Sequence, residues 1–114
     1  MQLKHFDMSE FNCPCCNINS MNEVFLYRLD GIREELGLPL KINSGFRCET
    51  HNKAIGGSAK SKHLVALACD ISTVNFTSEI HYKLIQLAYD FGMTGIGVYK
   101  SFLHLDLRNG VPSL

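Results

Sequence analysis

FLHLDL, residues 102–107, is the stretch from which the chain is read. Alternate side chains of a strand point to opposite faces. Leu103, Leu105 and Leu107 therefore share one face, and Phe102, His104 and Asp106 share the other. The leucine face must be core. The opposite face then sets an imidazole beside a carboxylate, an unusual choice for a strand and a first sign of chemistry on the sheet.

Just before it, Gly95-Ile-Gly-Val-Tyr99 predicts a partner strand joined through a tight Lys100-Ser101 turn. Residues 66–74 have the β-branched flavour of a central strand. Leu40-Lys-Ile-Asn43 reads as a short strand ending at Ser44-Gly45. Residues 47–62 are polar, carry Gly56-Gly57, and predict an exposed loop with one helical turn around His51–Ile55. Ser20-Met-Asn-Glu23 reads as a capping box. Behind it Phe25, Leu29, Ile32 and Leu36 recur at helical spacing, and Gly37 closes a helix over 21–36. Thr77 or Ser78 caps a second helix, whose apolar stripe is Ile80, Leu84, Leu87 and Phe91. Residues 1–19 read as an irregular arm. The sum is an α+β fold, a small antiparallel sheet flanked by two main helices, in a single domain over 1–114 with its core at about 9–108.

Composition removes several function classes. The chain has 114 residues, 46% of them hydrophobic, enough for one core and too few for two ordinary domains. Lysine and arginine number 11, aspartate and glutamate 11, so no bulk charge draws it to nucleic acid. No stretch approaches the roughly 18 apolar residues of a membrane span. The opening MQLKHFDMSEF lacks the apolar centre of a signal peptide. The expectation is a monomer made in the bacterial cytoplasm. If it acts at the cell wall, it gets there after release, through a holin-type lesion or as part of a particle.

KHLVALACD, residues 62–70, places His63 and Asp70 at the ends of an apolar run. A buried carboxylate is costly unless paired or coordinated. Together with His104, these residues offer two imidazoles and one carboxylate. Three protein ligands with a fourth position left for water is the arrangement of catalytic zinc. On spacing alone, hydrogen-bonded residues of a half-buried sheet are the more economical reading.

Ser44-Gly-Phe-Arg47, His51-Asn52, Gly56-Gly57, Ser61-x-His63, Ala68-x-Asp70, Gly95-x-Gly-Val-Tyr99 and Phe102-x-His-x-Asp106 follow one another in order. This series resembles the zinc D-alanyl-D-alanine carboxypeptidase family. The chain is similar to a short form of that family's C-terminal catalytic domain, whose metal-site architecture is shared with the hedgehog domain and lysostaphin-type endopeptidases. The resemblance spans residues 9 to 108, nearly the whole chain. It implies Zn2+ held by His63, Asp70 and His104, and a peptidoglycan stem peptide or cross-link as substrate. Ser61 would hydrogen-bond near the metal and substrate. Arg47 would hold the substrate carboxylate or the developing oxyanion, a task suited to an always-charged fork; a surface salt bridge is its plainer reading.

Two departures stand out. Ala66 occupies a position where the family commonly has glycine. Ser101 stands where many relatives place Glu or Asp, three residues before the last zinc histidine. Asp106 is the nearest carboxylate in sequence logic, either as the general base or as a partner orienting His104. His81, on the second helix, is a distant reserve for the base. Without a base, the chain would be a zinc-containing binding module of the same fold.

Five cysteines exclude a complete disulfide framework, because one is always left over. Cys13-x-x-Cys16 has metal-knuckle spacing, and Cys48 follows Arg47. A soft-metal site drawing on Cys13, Cys15, Cys16 and Cys48, a bridge from Cys13 or Cys16 to Cys48, and plain thiols all fit. Adjacent Cys15 and Cys16 cannot easily both face one ion. Cys69 reads as a small core residue.

Overall fold

The spacing of Phe25, Leu29, Ile32 and Leu36 is realised in helix α1 (Glu23–Leu36), where all four are buried. The structure, a computed structural model, describes residues 3–17, 19–58, 60–64 and 66–108. The cap of α1 is Asn22 rather than Ser20: its side chain accepts from the Phe25 N–H at 3.0 Å. Asn caps as well as Ser, and the Asn22 N–H is already tied to the Ala66 carbonyl at 3.1 Å, which fixes where the helix starts. Gly37 ends it with φ 74°, in the left-handed region glycine adopts freely.

Thr77 caps α3 (Ser78–Asp90), accepting from the Ile80 N–H. Its deepest residues are Leu84 and Ala88, with Ile85, Leu87 and Phe91 half-buried beside them. The expected helical turn in the 47–62 loop is present as α2 (Glu49–Ala54), capped by Cys48.

Four strands, β1 (Ile42–Ser44), β2 (Ala68–Ser72), β3 (Gly95–Val98) and β4 (Phe102–Asp106), form one antiparallel sheet in the order β1-β2-β4-β3. The class is α+β. Leu103, Leu105 and Leu107 are buried with Cys69 and Ile71 of β2, in one apolar cluster with α1 and α3. The leucine face is core, as strand alternation requires. Each such side chain contributes about 1.5–3 kcal/mol on burial. Asp70 and Ala68 of β2 lie opposite His104 and Asp106 of β4.

The arm is mostly irregular, as expected, but its burial departs from expectation. Met8–Phe11 forms a 3-10 turn closed by a capping box between Asp7 and Glu10. Leu3, Phe6, Phe11 and Cys13 are buried, and Phe6 meets Phe11 edge-on at 5.5 Å. The Lys4 and His5 N–H groups donate to the carboxylate of Asp30 on α1. Two phenylalanines too far apart for a helical or strand period anchor the segment by tertiary burial. Among the described residues, no helix is long and apolar enough to cross a membrane.

Candidate metal centre

His63 lies in the turns between α2 and β2, and four bonds hold it, one of them the Ala66 N–H donating to its carbonyl at 3.3 Å. Its N–H donates to Ser61 Oγ at 3.2 Å, and its carbonyl accepts from the Arg47 N–H at 3.2 Å. Its Nδ1 lies 2.7 Å from the Gly45 carbonyl oxygen. A carbonyl only accepts, so Nδ1 carries the proton and Nε2 carries the lone pair. That Nε2 is buried, makes no hydrogen bond among the described residues, and lies 3.3 Å from Asp70 Oδ1.

Asp70 and His104 meet through the β2–β4 register. His104 Nδ1 is 2.8 Å from Asp70 Oδ1, and its Nε2 is 2.7 Å from Asp106 Oδ2. Burial opposes ionisation of Asp70, but contacts led by the bond from His104 outweigh it and hold the carboxyl well below the usual carboxylate range. Burial likewise works against a charged His104, yet the bonds to Asp70 and Asp106 raise its pKa above the ordinary imidazole value.

His63, Asp70 and His104 each offer one ligand atom, all within 4.8 Å of one another. The residues fit a metal on two grounds. The lone pair of His63 Nε2 is buried with nothing to bond, and Asp106 stands behind His104 as a carboxylate stands behind a metal-bound imidazole. Two nitrogens and one oxygen suit zinc, whereas calcium and magnesium take oxygen. The group opens into a cleft of about 470 Å³.

Arg47 lines that cleft, partly buried. Its Nε donates to Ser44 Oγ at 3.2 Å, Nη1 to Asn52 Oδ1 at 3.1 Å and Nη2 to Asp70 Oδ2 at 3.4 Å. The plainer reading, a salt bridge, is met in part: Arg47 pairs with Asp70, inside the cleft rather than on the open surface. Ser61 also lines the cleft. Ala66 adopts φ 63°, so alanine occupies the left-handed backbone that glycine favours while the three ligand-type side chains still converge. His81 on α3 is not among the cleft residues.

Sequence reasoning missed several participants. Arg108 lays Nε and Nη2 on the Asp106 carboxylate at 3.3 Å each. Asn52 positions Arg47. Tyr99 stacks on Phe102 at 4.4 Å along the cleft wall, and Lys60 and Lys62 add positive charge to it. A Gly-x-Gly strand opposite His-x-Asp was the available signal for space around Asp106. A Cβ at Gly95 would lie 2.0 Å from Asp106 Oδ1 and 2.5 Å from Arg108 Nε. Gly95→Ala is therefore expected to displace Asp106 from His104 and lower stability by about 1–3 kcal/mol, read as a lower melting temperature.

The cysteines divide. Cys69 is buried, and burial pushes its thiol up. Cys13, Cys16 and Cys48 form a second group of ligand-type atoms within 4.8 Å of one another. Burial would raise the Cys13 thiol, but backbone amides of Cys48, Cys15 and Cys16 bring it down to about 7.

Comparison with known proteins agrees with this geometry. The profile of the peptidase M15 family matches residues 4–106. The chain belongs to the peptidase M15 family. Over 74 residues it is 32% identical to the zinc D-Ala-D-Ala carboxypeptidase of Streptomyces albus G. That match covers 64% of this chain and only 28% of the relative's length. It therefore speaks for that shared stretch and not for the relative as a whole.

Proposed function

We infer that this M15 chain is a zinc-dependent hydrolase of peptide bonds in bacterial cell-wall stem peptides, as a D-Ala-D-Ala carboxypeptidase or an endopeptidase of the cross-link. The observation that carries the reading is the convergence of His63 Nε2, Asp70 and His104 Nδ1 in a cleft beside Arg47. Those three side chains would hold the ion. Zinc bound there supplies a Lewis acid that polarises a carbonyl and lowers the pKa of a water to about 7.

The chain's own residues do the rest. The Gly45 carbonyl fixes the tautomer of His63, and Asp106 orients His104. Arg47, braced by Ser44 and Asn52, holds a substrate carboxylate or the oxygen that gains charge at the scissile carbonyl. Lys60, Lys62 and Arg108 make the cleft attractive to a carboxylate-ending peptide, and the Tyr99–Phe102 stack forms an apolar wall. Ser61 supports His63 through its backbone.

Asp106 is bonded to His104 and to the Arg108 fork, so its carboxylate acts through His104 rather than by taking a proton from water. Asp106→Asn is expected to weaken zinc affinity by about 10–100-fold, with excess zinc restoring turnover. Full zinc binding with turnover gone would instead make Asp106 the general base.

A second reading has one observation in its favour. The cleft's carboxylates among the described residues, Asp70 and Asp106, are both engaged with His104. That suits a zinc-containing binding module without turnover. The deciding experiment incubates zinc-loaded protein with purified peptidoglycan and with synthetic D-Ala-ending peptides, and identifies the fragments by mass spectrometry. Released D-Ala or opened cross-links, abolished by a chelator, support hydrolysis. A folded, zinc-loaded protein that releases nothing leaves the binding module.

A further inference from the structure

We propose that Cys13, Cys16 and Cys48 form a second metal site, a thiolate clamp for a soft divalent cation, zinc above others, that fastens the N-terminal arm to the segment carrying Arg47. The site shares no ligand with His63, Asp70 and His104.

The spacing fits coordination better than a bridge, with the Cys13 thiol donating to Cys48 Sγ. The three sulfurs lie within 4.8 Å of one another, and Cys13 and Cys48 are 3.6 Å apart. Zn–S bonds of about 2.3 Å in a tetrahedron separate sulfurs by about 3.8 Å, whereas a disulfide needs about 2.05 Å. A bridge also uses two sulfurs, and here three converge. Of the adjacent pair, Cys16 completes the group lying within 4.8 Å, while the Cys15 thiol reaches Cys48 from beside it.

Local structure prepares the sulfurs for charge. The Cys48 N–H donates to Cys13 Sγ at 3.4 Å, and the His51 N–H donates to Cys48 Sγ at 3.4 Å. Amide donors aimed at sulfur favour the thiolate, the form that binds metal. The Cys13–Cys16 loop reverses through the Asn17 N–H, which donates to the Cys13 carbonyl at 2.7 Å with Asn17 at φ 60°. Cys13 is fully buried, Cys48 partly and Cys16 exposed, so an ion can enter from the Cys16 side. On binding, each thiol still protonated releases its proton to solvent. Thiolate donors select zinc and similar thiophilic ions over magnesium and calcium.

The position gives the clamp a purpose. Cys13 lies two residues beyond Phe11, whose carbonyl accepts from the Phe46 N–H at 2.9 Å. A Cβ on Gly45 would lie 2.7 Å from the Phe11 Cα, so arm and loop touch backbone to backbone. Gly45 bonds His63, and Arg47 directly precedes Cys48. An ion holding Cys13 and Cys16 to Cys48 would thus stiffen the backbone behind both Arg47 and His63.

The test uses reduced full-length chain loaded with zinc or with cobalt(II). The expected stoichiometry is about two ions per chain, falling by one in Cys48→Ser and by one in His104→Ala. Sulfur-to-cobalt charge-transfer absorption should persist in His104→Ala and disappear in Cys48→Ser. That split separates failure of the clamp from failure of the cleft site. Should Cys48→Ser not fold, alkylation of the wild-type chain followed by mass spectrometry decides instead. Zinc should slow modification of Cys13, Cys16 and Cys48 by about tenfold or more, and a chelator should restore it. Absence of charge-transfer absorption in the wild-type chain, or equal alkylation rates with and without zinc, overturns the proposal.

Discussion

His104→Ala is expected to eliminate metal uptake in the cleft and, with it, turnover. The loss should exceed the roughly 10–100-fold that removal of a supporting partner causes, because one of three ligand atoms disappears and Asp106 loses the group it orients. Equilibrium dialysis with zinc, beside an assay on D-Ala-ending peptide, checks both. Undiminished turnover by the folded variant would remove the cleft from the chemistry. Metal uptake should also depend on pH with a definite sign. Metal takes a neutral imidazole, and Asp70 with Asp106 raises the pKa of His104. Protons therefore compete above the ordinary imidazole range, and zinc affinity should fall as pH drops through that raised value. In the metal-free protein the same contacts stabilise the fold in a window. The Asp70 contribution is present above the unfolded carboxyl pKa of about 3.9 and is lost as pH falls through its depressed folded value. The His104 contribution is present below about 6.5 and is lost as pH rises through its raised value.

Arg47→Ala should lower kcat/KM by about 10²–10³, equivalent to about 2.7–4 kcal/mol of lost stabilisation of developing charge. Arg47→Lys should recover little of it, because a point ammonium cannot reproduce three bonds from a planar fork to Ser44, Asn52 and Asp70. Zinc stoichiometry, measured in parallel, separates this loss from collapse of the ligand set, since Asp70 keeps His63 and His104 as neighbours. Wild-type kinetics in Arg47→Ala would reduce the residue to a brace for Asp70.

Much of the fold was legible because it depends on near neighbours in sequence. Phe25, Leu29, Ile32 and Leu36 repeat at the helical period, and Leu103, Leu105 and Leu107 alternate at the strand period, so burial of either set follows from local geometry. The exact cap did not follow. Ser20 and Asn22 are both good caps, and the bond from the Asn22 N–H to the distant Ala66 carbonyl selected between them. The arm is irregular apart from the Met8–Phe11 turn, as expected, but its burial was not legible for a related reason. Phe6 and Phe11 obey no period, and besides each other they pack into a core drawn from the rest of the chain.

The candidate site divides along the same line. Ordered motifs marked His63, Asp70, His104 and Arg47 as a set, and strand alternation put Asp106 on the face of His104. Which nitrogen of His63 is available, the engagement of Asp106 by Arg108, and the bracing of Arg47 by Asn52 came only with the folded chain. So did the grouping of Cys16 with Cys13 and Cys48. Side-chain period and turn chemistry act over a few residues and can be read along a line. Cross-strand register and loop closure join residues tens of positions apart, and only burial of the whole core sets them.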